Sequence, residues 1–345
     1  MIKRPIITSA CRLKQTSDNS IGRASSIDEQ EESSGPLIKN SSNTTRHLAV
    51  SIPMEAATRA EAPSPDYTFI ARHLRAIVLK TDQDGRAREV DQDPYVFSTE
   101  ELTQLIEHKK RTRFLDARVI VGNFELLVSQ LHEERQSGVG AFPRRIQIAF
   151  KRAGLDEGGQ EYDHWTAIDI LLTRDCMNVF YLDSAGDPRN LSIIVDATTR
   201  HPDTELTLCE DIEVNGRSLA VQKDGESCSI FAIDNIFHMS KLPELHDHVN
   251  LYRVKDLSYE DKPIYCLDPG DLPAMLVRNA QSDRFMGRWM GRNTDKLEVA
   301  VDKKGHNIRD YLRIHSIFYP TIKKEINAGI QEKQIKYASR LNQLR

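Results

Sequence analysis

Four residues in the middle of the chain have types and spacings that could do chemistry together. Cys228 stands where the charged, glycine-containing stretch QKDGES gives way to the apolar run CSIFAIDNIF. The run has helical periodicity. The first-turn N–H groups of a helix are unpaired and carry the positive end of the aligned peptide dipoles, which biases a thiol there towards thiolate. A lone cysteine ahead of an apolar run is more often an inert core residue, so the thiol needs companions. His164 immediately precedes the run WTAIDILL, and Asp183 closes the run NVFYLD. If these runs are antiparallel strands joined by the turn TRDCM, the start of one lies beside the end of the other. Asp183 could then accept from the His164 imidazole. Gln222, six residues before Cys228, could donate its amide to an oxyanion alongside the Cys228 backbone N–H. The chemistry implied is thiolate attack on a carbonyl, with His164 as base and Asp183 as its orienting acid.

The elements that must position these groups can be read from the surrounding pattern. Ser98-Thr99-Glu100-Glu101 has capping-box spacing ahead of LTQLIEHKK, which predicts a helix. Arg113–Arg135 continues with apolar residues near a 3.6 period and predicts a second helix. Short apolar runs follow: RIQIAF at 145–150, WTAIDILL at 165–172, NVFYLD at 178–183, LSIIVDA at 191–197, ELTLCED at 205–211 and SLAVQ at 218–222. Many of their residues are β-branched or aromatic, and polar or Gly/Pro turns separate the runs. They predict a sheet of four to six strands. SIFAIDNIFHM then returns to a helical pattern. The order helices, strands, helix, further helical segments is an α+β arrangement, a central mixed or antiparallel sheet flanked by helices.

Composition bounds the remaining possibilities. The chain has 345 residues, 28% of them charged. It has no apolar run of the roughly 18–20 residues a membrane span needs. Its N-terminal residues lack the apolar core of a secretory signal peptide. Five cysteines without a CxxC pair argue against a disulfide framework and a zinc ribbon. Residues 1–65 are rich in Ser, Asn, Thr and Gln and predict a disordered leader, with Tyr67–Leu79 the first segment expected to be structured. The net charge of −4 is uneven: residues 278–345 hold fifteen Lys/Arg against seven Asp/Glu, a surplus of +8. That asymmetry suits an anionic partner. No recognisable nucleic-acid module accompanies it.

The sequence HW at 164–165, DS at 183–184 and the Gln222-to-Cys228 spacing resemble one cysteine-protease clan (CE). It includes SUMO and ubiquitin-like proteases and the YopJ-family acetyltransferases. LDPGDLPAMLVRNAQSDRFMGRWM at 267–290 and VAVDKKGHNIRDYL at 299–312 resemble the tail of the YopJ branch, so the likeness spans roughly residues 100–320. The polar N-terminus resembles a type III secretion leader. The resemblance implies a bacterial effector secreted and translocated into a host cell, without a membrane span or a nucleic-acid partner. It would transfer acetyl from acetyl-CoA through Cys228 to Ser, Thr or Lys of host proteins, with inositol hexakisphosphate as activator. It implies three parts: leader 1–65, catalytic core 66–265 and a basic C-terminal regulatory region 266–345. By motif match it assigns Arg278, Lys303 and Lys304 to the phosphate ligand, with Arg284 and Arg309 as neighbours.

Three positions depart from the family pattern. Asp183 stands where YopJ-like enzymes commonly have Glu, and Ser229 follows the nucleophile where Gly is common. Arg278-Asn279 replaces Lys-His, so autoacetylation at position 278 is not expected. Two other readings compete: a deubiquitinase or SUMO/ubiquitin-like protease, favoured by His-Trp and Asp183, and a non-catalytic binding protein that keeps the fold.

Overall fold

The computed structural model describes residues 97–113, 115–138, 140–155, 159, 162–186, 190–209, 220–222, 227–259, 262–319 and 324–344. The leader 1–65 and the segment Tyr67–Leu79 lie outside the described residues. Helix α1, Thr99–Thr112, begins where the capping box predicts. Ser98 Oγ accepts from the Glu101 N–H at 3.2 Å, and a Glu101 carboxylate oxygen accepts from the Ser98 N–H at 3.1 Å.

The stretch 113–135 is not one helix. Ala117–Val121 forms strand β1, and helix α2 begins only at Phe124, running Phe124–Gln136. Gly122 makes the break, with φ +71° and a Cα so close to Ala153 that a Cβ would sit 2.8 Å from the Ala153 methyl. The strands β2 (Arg144–Lys151), β3 (Trp165–Leu172) and β4 (Met177–Leu182) follow. Leu191–Thr199, expected as a strand from its β-branched content, is helix α3. Its buried residues Leu191, Ile194, Val195 and Thr198 have the spacing of one helix face. Strand β5 is Thr204–Cys209, and residues 220–222, expected to end a strand, are irregular. After them come α4 (Cys228–Met239), α5 (Leu245–Tyr252), β6 (Val254–Tyr259) and β7 (Lys262–Cys266).

The sheet has seven strands in the order β1-β2-β3-β4-β5-β7-β6. It exceeds the expected four to six because β1, β6 and β7 join it. Pairing is mixed: β2–β3, β3–β4 and β6–β7 are antiparallel, the other pairs parallel. Side chains alternate between two cores, as the pleat requires. Ile146, Ile148, Phe150, Ile168, Ile170 and Leu172 face α2 and α3. Ala149, Trp165 and Ala167 face α4, α1 and the C-terminal helices. Ala149 and Ala167 are cross-strand partners, so the sheet surface under α4 is low and the helix can sit close. All twelve residues of α4 are buried, which an apolar helix enclosed on every side requires.

Beyond the sheet lie α6 (Ala274–Val277), α7 (Asp283–Arg292), α8 (Ile308–His315), the antiparallel pair β8 (Ser316–Tyr319) and β9 (Lys324–Asn327), and α9 (Gly329–Leu344). Helix α9 packs on both α1 and α4, so the first and last described helices meet behind the nucleophile helix. No described helix is long and apolar enough to cross a membrane.

Candidate active site

The antiparallel pairing of β3 and β4 brings His164 and Asp183 together at one end of two central strands. His164 Nε2 and Asp183 Oδ2 are 2.7 Å apart, and both residues are buried. The carboxylate is saturated on its other sides. Tyr181 donates its hydroxyl to Oδ2 at 3.1 Å, and the N–H groups of Ala185 and Gly186 donate to Oδ1 at 2.9 and 3.0 Å. Burial pulls the His164 imidazole down, but the Asp183 charge, its hydrogen bond and the contact with Cys228 outweigh it and lift the group to about 10.

Cys228 is the first residue of α4, and its thiol lies between two neighbours. It donates to the Asp163 carbonyl at 3.3 Å and is hydrogen-bonded to the His164 side chain. Since Asp183 holds Nε2, the thiol falls to Nδ1. Ser227, the cap residue, places no side-chain hydrogen bond on the first turn of α4. The dipole of the helix therefore acts on the sulfur without a competing cap. Ser229, which follows, is fully buried with its hydroxyl unpartnered. Gln222 is tied to the residue that follows Asp183: its N–H donates to the Ser184 carbonyl at 2.8 Å, and its Oε1 accepts from Ser184 Oγ at 2.9 Å.

The sequence did not single out Asn190, which is fully buried. Its Nδ2 donates to the His164 carbonyl at 3.1 Å, and its Oδ1 accepts from the Arg152 N–H at 3.1 Å. It fixes the backbone that carries the imidazole. An Asn before an apolar run is a helix-start signal, but the strand reading of 191–197 concealed it.

The five cations assigned by motif differ in burial. Arg278 is buried; it donates to the Val301 carbonyl and contacts His238, lies 5.0 Å from the Tyr311 ring centre, and pairs with Asp234 at 3.8 Å. Its guanidinium is committed to the core. Arg284, Lys303, Lys304 and Arg309 are exposed on α7, on a turn and on α8.

A different cation group stands where α1 meets α9. Lys109 is pushed below its ordinary value by burial and then by Arg113, Lys336, Lys333 and Arg340. Lys333 is lowered by burial in spite of its 3.4 Å pairing with Asp234. Lys241, at the C-terminal end of α4, is lowered to about 8 by burial and the Arg113 charge, and its ammonium sits 3.2 Å from His238 Nδ1. Lys333, Lys336 and Arg340 follow i, i+3, i+7 spacing, one face of α9. That spacing was visible in the sequence; its meeting with α1 was not. Burial first, and then the neighbouring cations, hold Lys109, Lys241 and Lys333 below their ordinary values. Among the described residues no cluster of His, Cys, Asp and Glu is placed to hold a metal.

A helix-borne cysteine facing a His–Asp pair at the ends of neighbouring strands defines a cysteine-protease-like α/β core. Residues 72–340 match the family described as YopJ Serine/Threonine acetyltransferase, and the chain belongs to that family. Solved structures similar to it include AvrA delL154 with IP6 and CoA, at 15% identity and TM-score 0.56, covering 84% of this chain and 98% of that one. HopZ1a in complex with IP6 is similar at 12% identity and TM-score 0.54, covering 83% and 93%. HopZ1a with IP6 and CoA gives 13%, 0.52, 83% and 94%. These likenesses show the fold. No curated protein matches the chain.

Proposed function

We propose that this member of the acetyltransferase family is a translocated effector. It moves acetyl from acetyl-CoA to Ser, Thr or Lys of host proteins through an S-acetyl intermediate on Cys228. The observation that carries the reading is the buried His164–Asp183 pair with the Cys228 thiol hydrogen-bonded to the same imidazole. The Cys228 thiolate attacks the thioester carbonyl, and the Gln222 amide and the first-turn N–H of α4 stabilise the oxyanion. The carbon–sulfur bond to CoA breaks, and CoA leaves as the thiol with the proton of the His164 imidazolium. His164, now neutral, takes the proton of the acceptor hydroxyl or amine as that group attacks the acetyl carbon. Cys228 departs as thiolate beside the restored imidazolium. In a test with acetyl-CoA and inositol hexakisphosphate, intact-mass measurement should show one added acetyl group, mapped to the Cys228 peptide. No added mass, or covalent trapping by a ubiquitin-like vinyl sulfone instead, would turn the reading to a binding protein or a protease.

Inositol hexakisphosphate fits the Lys109, Arg113, Lys241, Lys333, Lys336 and Arg340 group, since dense phosphate charge meets crowded ammonium and guanidinium donors. When bound it supplies negative charge that relieves their mutual repulsion. Lys241, lowered to about 8, should then rise and take up a proton. Calorimetry near pH 8 in buffers of different ionisation enthalpy should show net proton uptake. Lys336→Glu/Arg340→Glu should weaken binding by at least about tenfold, the scale of one lost charge-assisted hydrogen bond. Unchanged affinity would move the ligand elsewhere.

A further inference from the structure

A side-chain amide is an ambiguous oxyanion donor. Turned over, it presents its carbonyl oxygen and repels the charge it should stabilise. A backbone N–H cannot turn over in this way, so the Gln222 amide needs something to hold its polarity. Hydrogen bonds to Gln222 and to the preceding Val221 hold it. Ser184 Oγ donates to Gln222 Oε1 at 2.9 Å, so the oxygen end is engaged and the NH2 end is set on the opposite side. The Gln222 N–H donates to the Ser184 carbonyl at 2.8 Å, which ties the same two residues through the backbone. The Gln281 N–H donates to the Val221 carbonyl at 2.9 Å, pinning the preceding residue from the C-terminal region. Ser184 and Gln222 are both buried, at 4% and 3% exposure, so water has little access to replace the serine hydroxyl.

Ser184 is itself rigidly placed. It lies in the turn after β4 that the Asp183 carboxylate closes by accepting from the Ala185 and Gly186 N–H groups. One turn thus offers its carboxylate to His164 and its hydroxyl to Gln222. We propose that Ser184 is a positioning residue that fixes the Gln222 amide with its nitrogen towards the reacting carbonyl. The proposal rests on the reading of Gln222 as oxyanion donor, and the test separates the two.

The test is a double-mutant cycle on the full chain with inositol hexakisphosphate present, reading the rate of CoA release at saturating and at limiting acetyl-CoA. Gln222→Ala should slow the saturated rate by about 10²–10³-fold, the loss typical of one oxyanion-hole donor. Ser184→Ala should slow it by about two- to tenfold with KM unchanged, since an amide no longer held donates only part of the time. Ser184→Thr, which keeps the hydroxyl, should recover most of that loss. In the Gln222→Ala background, Ser184→Ala should add nothing. If Gln222→Ala is slow while Ser184→Ala runs at the wild-type rate, the proposal alone fails. It also fails if the Ser184→Ala loss multiplies in full on Gln222→Ala, or if Thr restores nothing. A wild-type rate for Gln222→Ala would remove the oxyanion reading and this proposal with it.

Discussion

Asp183→Asn should lower acetyl transfer at neutral pH by about 10⁴-fold, the scale seen when the orienting carboxylate of a Ser–His–Asp triad is neutralised. The substitution keeps the shape of the side chain and changes one charge. Asp183 accepts four hydrogen bonds, from His164, Tyr181, Ala185 and Gly186. An amide has one oxygen for the same donors, so the imidazole either loses its partner or meets an NH2 group at Nε2. The electrostatic consequence has a clear sign. Burial alone would pull His164 down, and the carboxylate is what holds it at about 10. In the variant it should therefore titrate at or below the unfolded-chain value of about 6.5. NMR titration of the imidazole would read this directly. Stability should follow. The folded value lies above the unfolded one, so the contribution of the pair is complete below about pH 6.5 and fades as the pH rises towards 10. The gap in unfolding free energy between wild type and variant should narrow over that alkaline range. Activity within tenfold of wild type, with an unmoved imidazole titration, would show that Asp183 does not orient His164.

The sequence made the local chemistry legible because the chain concentrates it at element ends. His164 and Asp183 flank two runs whose alternation and turn force an antiparallel pairing, so their proximity follows from topology alone. Cys228 could be placed at a helix start because a charged loop gives way there to an apolar helical pattern. Where two structures share one pattern, the reading failed. Residues 113–135 carry helical spacing through a strand, and only the left-handed Gly122 and its approach to Ala153 separate β1 from α2. LSIIVDA has β-branched residues suited to a strand, yet its helix face is what the second core buries. Long-range placement was least legible. The motif match gives Arg278 as a phosphate-binding cation and shows nothing of its burial, yet Asp234 and the Tyr311 ring draw it into the core. The Lys109 and Lys333 faces are more than two hundred residues apart in sequence, and their convergence depends on α9 returning to α1.

The nucleophile helix is held at its far end by charges that take no part in the proposed chemistry, and breaking them should cost more stability than any surface change. Asp169 lies mid-strand in β3, fully buried, on the face beneath α4. It receives two bonds from Arg145, at 3.1 and 2.7 Å, one from Gln147 at 2.9 Å, and one contact from His246 at 2.8 Å. Arg145 in turn donates to the carbonyls of Met239 and Leu242 at 3.0 and 2.6 Å, capping the C-terminal end of α4 with positive charge. Removing the carboxylate takes away the acceptor that a guanidinium, an imidazole and an amide share under a buried helix, and leaves Arg145 only its bonds to the Met239 and Leu242 carbonyls. Asp169→Ala should therefore destabilise the fold by about 3–5 kcal/mol, the range for a broken buried ion pair, read as a lowered urea midpoint. The pH dependence fixes the cause. Burial pushes the Asp169 carboxyl up, but the His246 bond and the Arg145 charge outweigh it and keep the group below its ordinary value. Its contribution is present above the unfolded value of about 3.9 and is lost as pH falls through the lower folded value. The wild-type advantage should thus persist at neutral pH and shrink under acid. A midpoint change below about 1 kcal/mol would mean that packing alone holds α4 on the sheet, and that Cys228 owes its position to the apolar contacts of the helix.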